Sequence, residues 1–328
     1  MMATRNNRIN IKFRKQLFLL IIFLFLFAFT SCTTFLSTSN AVGSSISALF
    51  SSPRKVENKI TDPVRNDARL AVLWVGHATM LIQIDNKFVL TDPIFTETVA
   101  FLSKRLTEPG IDPENLPDLD AVLISHLHAD HLSIGSLDMI ESKVKELLVP
   151  EAGLVYIPNF DFETDELKRW HTWEKDGLKI TAVPAIHNGM RYGIDAEWLD
   201  KSYTGYVIQH NGITVYFSGD TGYEKGTTIF KEIGEKFPDI DLALLPIGPI
   251  RPRDYVSIRH IGPVDALKIM KETKAKRMMA MHFDTFPESY DTLGEAESRM
   301  REVMKENNLT EDKVIILKIG EQKVIIPK

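Results

Sequence analysis

One stretch of the chain is rich in histidine: Ser125-His126-Leu127-His128-Ala129-Asp130-His131. It directly follows the apolar run Ala121-Val122-Leu123-Ile124. The apolar run predicts a buried β-strand. Side chains alternate along an extended segment, so we expect His126 and His128 to face one point, while Asp130 and His131 turn back towards a second. Imidazole and carboxylate groups suit Zn, Mn or Fe. Packing alone does not explain this cluster at a strand end, so the stretch predicts a metal site.

Three further residues complete a set of candidate metal ligands, and each follows a predicted strand: His187, Asp220 and His282. Asp220 stands in the sequence Gly219-Asp220-Thr221-Gly222. Strand-to-loop junctions are where α/β enzymes tend to place their chemistry. A lone histidine is more often structural, but together with the triple-histidine stretch these residues predict metal ligation. The only cysteine is Cys32, so a cysteine-rich zinc module is excluded.

The body of the chain predicts an α/β fold in which helices cover sheets. Short β-rich runs recur at Leu70–Val75, Met80–Ile84, Phe88–Thr91, Ala121–Ser125, Leu178–Val183, Tyr203–Gln209, Ile213–Ser218, Leu242–Pro246, Met278–Met281, Val314–Lys318 and Lys323–Ile326. Asp85-Asn86 and Asn211-Gly212 predict hairpin turns. Helical patterns fall at Ile134–Leu147, Tyr223–Ile233, Pro263–Lys274 and Asp291–Lys305.

The first residues have the order of an export signal. A basic leader precedes the apolar run Leu17–Phe29, and Thr30-Ser31-Cys32 follows it. We therefore expect a signal peptide over 1–32 with a lipobox cysteine, a flexible Ser- and Thr-rich tether over 33–60, and one hydrolase domain over 61–328. The resulting protein would be an exported, membrane-anchored bacterial lipoprotein on the periplasmic or outer-membrane face. An uncleaved signal anchor, or a plain secretory signal with a chance cysteine, is the alternative.

Composition excludes some classes of partner. The 328 residues carry a net charge of -5, and no Lys/Arg block interleaved with aromatic residues occurs in the body of the chain. Nucleic acid is therefore not an expected partner. The sequence predicts no particular oligomer.

The order His-x-His-x-Asp-His, then His187, then Gly-Asp-Thr-Gly, then His282 resembles the metallo-β-lactamase superfamily from Arg69 onwards. The resemblance implies a four-layer αββα fold that binds two divalent metal ions, with Zn favoured over Mn or Fe. It implies a first metal on His126, His128 and His187, a second on Asp130, His131 and His282, and Asp220 as the bridge. Paired cations suit hydrolysis because they stabilise the attacking and leaving oxygens together, and Asp130 would orient the water.

A longer series of residues resembles one branch, the N-acylphosphatidylethanolamine-hydrolysing phospholipase D group with its bacterial relatives, and less closely ascorbate-6-phosphate lactonase. The series is Gly76-His77-Ala78-Thr79, Leu90-Thr91-Asp92-Pro93-Ile94-Phe95, Gly219-Asp220-Thr221-Gly222-Tyr223, Pro246-Ile247-Gly248, His260 with Pro263, and His282-Phe283 with Thr285-Phe286. The resemblance implies cleavage of the phosphate-to-head-group bond, giving phosphatidic acid and N-acylethanolamine. It implies that His77 and Asp92 support the ligands and that His260 contacts substrate or the bridging water.

The chain departs from that branch on the expected substrate side. Asn188-Gly189-Met190-Arg191 stands where a tryptophan usually follows the histidine, and Asp284 stands where glycine is usual. Arg191 and Tyr192 either contact a phosphate or head group or form an exposed loop. Phe101 and Leu102, in the long stretch Thr96–Pro117, belong either to a lid or membrane-facing element or to ordinary core packing.

Two other functions remain open at this stage. One is a different hydrolase of the superfamily, a lactonase or a small-molecule phosphodiesterase. The other is a non-catalytic metal-binding lipoprotein of the envelope. A β-lactamase is disfavoured because such enzymes lack the bridging aspartate, and a complete ligand set disfavours an inactive scaffold.

Overall fold

The fold is seen in a computed structural model, which describes residues 51–57, 59–99, 103–192, 194–287 and 289–328. The expected signal peptide with Cys32, the first part of the tether, and Phe101 and Leu102 lie outside these residues. Arg54 already pairs with the body of the fold, because its backbone N–H donates to Leu106 O over 2.8 Å.

The described residues form sixteen strands and six α-helices. The strands are β1 (Ala68–Gly76), β2 (Thr79–Ile84), β3 (Lys87–Thr91), β4 (Thr98–Val99), β5 (Ser103–Lys104), β6 (Ala121–Leu123), β7 (Glu146–Pro150), β8 (Glu163–Leu167), β9 (Thr172–Lys175), β10 (Leu178–Val183), β11 (Gly205–His210), β12 (Ile213–Phe217), β13 (Leu242–Pro246), β14 (Met278–Met281), β15 (Val314–Ile315) and β16 (Gln322–Pro327). The helices are α1 (Ile134–Ile140), α2 (Ala196–Leu199), α3 (Ile229–Lys236), α4 (Arg253–Val256), α5 (Pro263–Glu272) and α6 (Glu295–Glu306).

Two large sheets carry the fold. The first has the order β16-β1-β2-β3-β6-β7-β8, and the second has the order β15-β14-β13-β12-β11-β10-β9. The strands from β3 to β8 in the first sheet are parallel, as are those from β12 to β15 in the second. Parallel strands place their carboxyl ends at one edge of a sheet, so the loops that follow them meet there.

Alternation along the strands separates two apolar layers. On β1, Leu70, Val72 and Trp74 join the large cluster that also contains β10 to β14, whereas Leu73 and Val75 join a second cluster with residues of α1. Residues of α3, α5 and α6 pack in the large cluster with the second sheet. The two sheets therefore pack face to face with helices on their outer sides, which is the expected four-layer arrangement.

Most predicted elements are present, and both predicted hairpin turns connect the strands as expected, β2 to β3 and β11 to β12. The helix predicted over Ile134–Leu147 is wrong in its second half. α1 ends at Ile140, and β7 begins at Glu146 as a fully buried strand. A short, wholly apolar run has no periodicity that separates a buried strand from a buried helix. The predicted start of the helix at Tyr223 is also early, because α3 begins at Ile229.

The helices of the described part are short. Among these residues, no helix combines the length and the apolar character that crossing a bilayer requires.

Candidate metal centre

Four loops bring the predicted ligands to one edge that the two sheets share. Each loop follows a different strand. His126 lies three residues after β6, His187 four residues after β10, Asp220 three residues after β12, and His282 directly after β14. β6 belongs to the first sheet and the other three strands to the second, so both sheets contribute to the site. An isolated bridge between His126 and Tyr203 joins the sheets at this edge.

Three imidazoles form one group of donor atoms. His126 Nε2 lies 2.9 Å from His128 Nδ1, and His187 Nε2 lies 3.4 Å from the same atom. Two nitrogens on one tetrahedral Zn, each bonded at about 2.0–2.1 Å, are about 3.3–3.4 Å apart. The three donor atoms all lie within 4.8 Å of one another, so His126, His128 and His187 form a group that could hold one cation.

A second group lies beside the first. His131 Nε2 is 3.3 Å from His282 Nε2 and 3.7 Å from Asp130 Oδ2. Asp220 belongs to both neighbourhoods: its Oδ1 lies 3.1 Å from His282 Nε2, its Oδ2 lies 3.4 Å from His131 Nε2, and it shares a candidate metal group with His126 and His131. The structure thus brings all seven predicted ligands together and puts Asp220 between the two groups.

Hydrogen bonds behind the cluster fix which ring nitrogen faces it. His131 Nδ1 lies 2.7 Å from Asp92 Oδ2, and His187 Nδ1 lies 3.0 Å from the carbonyl of Arg259. Oxygen acceptors at these atoms require the N–H, so each of the two rings turns its Nε2 into the cluster. Asp92 also accepts from Ser125 N over 2.7 Å and from Ser125 Oγ over 2.6 Å. The predicted contact of Asp92 with a ligand imidazole is therefore present.

The charge states suit cation binding. Burial lowers the pKa of His126 and His187 well below the usual value, so both rings are neutral donors at neutral pH. Burial would raise the pKa of Asp220, but His282 and His131 outweigh it and hold that pKa well below the usual value. Burial also opposes charge on His131, yet Asp220, Asp130 and Asp92 raise its pKa well above the usual value. A proton on His131 is one that a metal ion would displace, since metal binding releases protons from ligands.

Two more histidines border the cluster. His77 Nε2 lies 3.2 Å from Asp130 Oδ2, and its ring centroid lies 3.9 Å from that of His282. Burial, with His282 beside it, lowers the pKa of His77 to about 3. His77 falls within the same candidate metal group as Asp130, His131 and His282, which is closer than its predicted supporting role suggested. His260 Nδ1 lies 3.3 Å from Asp220 Oδ2.

The backbone around the site is unusual. His77, Asp92, His282 and Asp284 have positive φ angles of 53°, 34°, 61° and 55°. Non-glycine residues rarely adopt this conformation, and such strain concentrates at functional sites. The local sequence pattern does not predict these angles except at Asp284, where glycine is usual in the branch that the chain resembles. Asp284 instead uses both carboxylate oxygens to accept from Gly294 N, at 2.9 and 3.0 Å.

The guanidinium of Arg191 is hydrogen-bonded to the backbone. Its Nη1 donates to the carbonyls of Leu127 and Leu132 over 3.0 and 2.8 Å, on either side of the ligands His128 to His131. Arg191 therefore ties the loop after His187 to the first ligand loop. Tyr192 is exposed, in agreement with the alternative of an exposed loop.

Comparison with known proteins agrees with this geometry. Residues 87–283 match the family described as the Beta-lactamase superfamily domain. The chain is 32% identical to N-acyl-phosphatidylethanolamine-hydrolyzing phospholipase D 1 of Caenorhabditis elegans, over 71% of this chain and 68% of that protein. It is 30% identical to a metal-dependent hydrolase of Thermococcus onnurineus, over 66% of this chain and 85% of that protein.

The fold also matches solved structures. An isothiocyanate hydrolase from Delia radicum gut bacteria superimposes with a TM-score of 0.60 at 21% identity, covering 79% of this chain and all of that one (100%). At this identity the match concerns the fold alone. The family match, the sequence relatives and the two adjacent donor groups lead to one conclusion: the chain belongs to the metallo-β-lactamase superfamily and is a metal-dependent hydrolase.

Proposed function

We propose that the protein is a phosphodiesterase of phospholipase D type, which hydrolyses N-acylphosphatidylethanolamine-like lipids at a site for two divalent cations. Zn is the favoured cation, with Mn or Fe as alternatives. The observation that carries the proposal is the position of Asp220, whose two carboxylate oxygens lie within 3.4 Å of ligand atoms of the second group while the residue also neighbours His126. A shared carboxylate is the natural bridge between two cations.

The assignment of ligands follows from the two groups. His126, His128 and His187 would hold one cation, Asp130, His131 and His282 the other, and Asp220 both. Cations held there would supply Lewis acidity towards the phosphate oxygens and a source of hydroxide near neutral pH.

Asp130 and His260 are the polar residues placed to handle water and substrate. Their side chains are 25% and 23% exposed, whereas those of Asp220, His131 and His282 are at most 1% exposed. Asp130 and His260 therefore lie where the cluster is partly open to solvent. His77 fixes the Asp130 carboxylate, which can accept a hydrogen bond from the attacking water and so orient it. His260, beside Asp220, can donate a hydrogen bond to a phosphate oxygen.

The proposed reaction breaks one bond and forms one. The water oxygen bonds to phosphorus, and the bond from phosphorus to the ethanolamine oxygen breaks. One proton of the water stays on the new phosphate monoester or passes to solvent, and the leaving alkoxide takes up a proton. The products are phosphatidic acid and N-acylethanolamine.

The lipid substrate is supported by similarity to the Caenorhabditis elegans enzyme. A soluble phosphodiester or a lactone is the second candidate substrate. It is favoured because residues on the expected substrate side differ from those of the phospholipase branch. Asn188 follows His187 where a tryptophan is usual in that branch, and Arg191 donates to the backbone carbonyls of Leu127 and Leu132.

The test uses the full-length protein in detergent, loaded with Zn or Mn and incubated in H₂¹⁸O with mixed micelles. The micelles contain N-acylphosphatidylethanolamine, phosphatidylethanolamine and phosphatidylcholine, and mass spectrometry identifies the products. His128→Ala removes a proposed ligand. His171→Ala is the matched control, because His171 is exposed and lies outside the candidate metal groups of the described residues.

We expect phosphatidic acid with one ¹⁸O and unlabelled N-acylethanolamine from the wild type and His171→Ala, and at least a 100-fold lower rate from His128→Ala. Label in N-acylethanolamine would mean that a carbon–oxygen bond is cut, which contradicts the proposal. Intact lipid in the presence of protein that retains its metal would also contradict it. Turnover of a soluble diester or a lactone under the same conditions would then establish the second candidate.

A further inference from the structure

The most exposed large apolar side chains of the described residues are not scattered. Five of them are between 59% and 88% exposed, and the next, Met139, is 53% exposed. The five form what we call the rim patch: Val155, Tyr192, Ile194, Trp198 and Ile258. Single exposed apolar residues are ordinary, but several grouped beside a site mark an interaction surface.

The rim patch lies on three segments, two of which adjoin His187. Tyr192, Ile194 and Trp198 belong to the segment that directly follows His187. Ile258 precedes Arg259, whose carbonyl lies 3.0 Å from His187 Nδ1. Val155 precedes Tyr156, which contacts the segment after His187 through its hydroxyl. The patch therefore borders one side of the candidate metal centre.

Polar contacts anchor the segment that carries Tyr192 and Ile194. Asp195 is buried, accepts from Tyr156 Oη over 2.7 Å, and accepts from the backbone N–H groups of Arg191 and Tyr192 over 3.0 Å each. The rings of Tyr156 and Tyr192 pack edge to face with centroids 5.5 Å apart. In this anchored segment Tyr192, Ile194 and Trp198 are exposed, whereas the neighbouring Asp195 and Leu199 are buried.

We propose that the rim patch docks on the surface of a phospholipid bilayer and holds the metal centre against it. Tyr and Trp suit this position, since their rings combine an apolar body with a polar tip and favour the membrane–water interface. The exposed charges nearby are mixed, with Glu197 and Asp200 against Lys201 and Arg259. Apolar contact therefore provides the attraction, and zwitterionic lipid is sufficient.

The length of the chain before the described residues allows the rim patch to contact a bilayer. The apolar run Leu17–Phe29 ends 25 positions before Arg54, whose backbone pairs with the fold. Arg54 pairs with Leu106, and Leu106 N donates to Thr285 O, three residues beyond His282. About 25 extended residues span roughly 80 Å. A chain anchored at that run therefore has enough length for the rim patch to reach the same bilayer.

Docking is a property distinct from the proposed reaction, so the test needs no turnover. Full-length protein is reconstituted with phosphatidylcholine liposomes, with and without lipids brominated on their acyl chains, and tryptophan fluorescence is measured. Trp198→Phe removes one of the four tryptophans. We expect brominated lipid to quench part of the wild-type emission, and we expect that quenched part to be absent in Trp198→Phe.

Substitutions elsewhere in the patch sharpen the test. Ile194→Asp together with Ile258→Asp should reduce the quenching of Trp198 at least severalfold, whereas Met139→Asp, an exposed apolar residue outside the patch, should leave it unchanged. Wild-type emission that is not quenched, or equal quenching in Trp198→Phe, would overturn the proposal. A dimer in lipid-free solution that Trp198→Ser disperses, with no quenching by brominated lipid, would also overturn it and assign the patch to a second copy of the chain.

Discussion

Gly219 shows how a single residue sets the position of a ligand. Its φ angle is +57°, and a Cβ added there would lie 2.4 Å from Ser125 Cβ. Ser125 in turn bonds Asp92, the partner of His131. The close approach lets the loop that carries Asp220 pack against the loop that carries three histidines. The sequence Gly219-Asp220-Thr221-Gly222 predicted the ligand, but not this contact between two distant segments.

We expect Gly219→Ala to be far more damaging than Gly212→Ala. Both glycines have positive φ, but a Cβ at Gly212 would meet nothing within 4 Å. The conformation alone should cost Gly212→Ala about 1–2 kcal/mol. Gly219→Ala should lose roughly 1–3 kcal/mol more from overpacking. Chemical denaturation of the two variants measures the difference, and equal losses would show that the contact with Ser125 is unimportant.

Asp92 acts on metal binding through His131. Asp92→Asn keeps the shape of the side chain but weakens the acceptor for His131 Nδ1–H, so metal affinity should fall about 10- to 100-fold. Competition with a chromophoric chelator measures that affinity. Asp241→Asn is the control, because Asp241 is also buried and bonded to a backbone N–H and a lysine, yet lies at the start of β13. A similar loss of affinity in both variants would contradict a specific role for Asp92.

Arg191 links two loops that are far apart in the sequence, the one after His187 and the one that contains Leu127 and Leu132. The sequence left open whether Arg191 contacts a phosphate or head group or lies in an exposed loop, whereas its guanidinium binds the carbonyls of Leu127 and Leu132. A side chain that reaches backbone atoms about sixty residues away cannot be recognised from local pattern.

Arg191→Met should loosen both loops. We expect faster amide hydrogen exchange in residues 126–132 and 188–200, because two charge-assisted hydrogen bonds are lost, and a lower metal affinity. Arg191→Lys should recover part of the protection, since an ammonium can still donate to a carbonyl. Arg299→Met, which removes exposed ion pairs on α6, is the control. Unchanged exchange in Arg191→Met would contradict the link.

The sequence predicted elements well where one face of a strand is apolar or a helix carries a clear periodicity. β10, β13 and β14 have the predicted bounds. β8 and β9 were missed because they read Glu-Thr-Asp-Glu-Leu and Thr-Trp-Glu-Lys, polar strands at the ends of the two sheets. An edge strand is fixed by backbone pairing with its neighbour, which leaves little trace in its own side chains.

At the scale of the whole molecule, the metal centre joins the two sheets. His126 follows a strand of the first sheet, and His187, Asp220 and His282 follow strands of the second. The clustering of the candidate ligands was predictable because these residues stand at strand ends, whose meeting point the fold determines. The positions of His77 and the rim patch depend on packing between segments and were not predictable in the same way.

Removal of metal should therefore weaken the whole fold. A ligand present at 100 times its Kd stabilises the native state by about 2.7 kcal/mol for each site. We expect chelation to lower the Tm of the wild type and of His171→Ala by several degrees, and that of His128→Ala by less. Differential scanning calorimetry measures these shifts, and a Tm that does not respond to chelation would contradict a joining role for the metals.

We propose that seven side chains hold two cations with Asp220 between them. Anomalous diffraction at the Zn or Mn absorption edge, from crystals of the loaded protein, locates the cations. We expect two peaks about 3.5–4 Å apart, one beside His126, His128 and His187, the other beside Asp130, His131 and His282, with the Asp220 carboxylate between them. A single peak, or peaks that Asp220 does not contact, would contradict it.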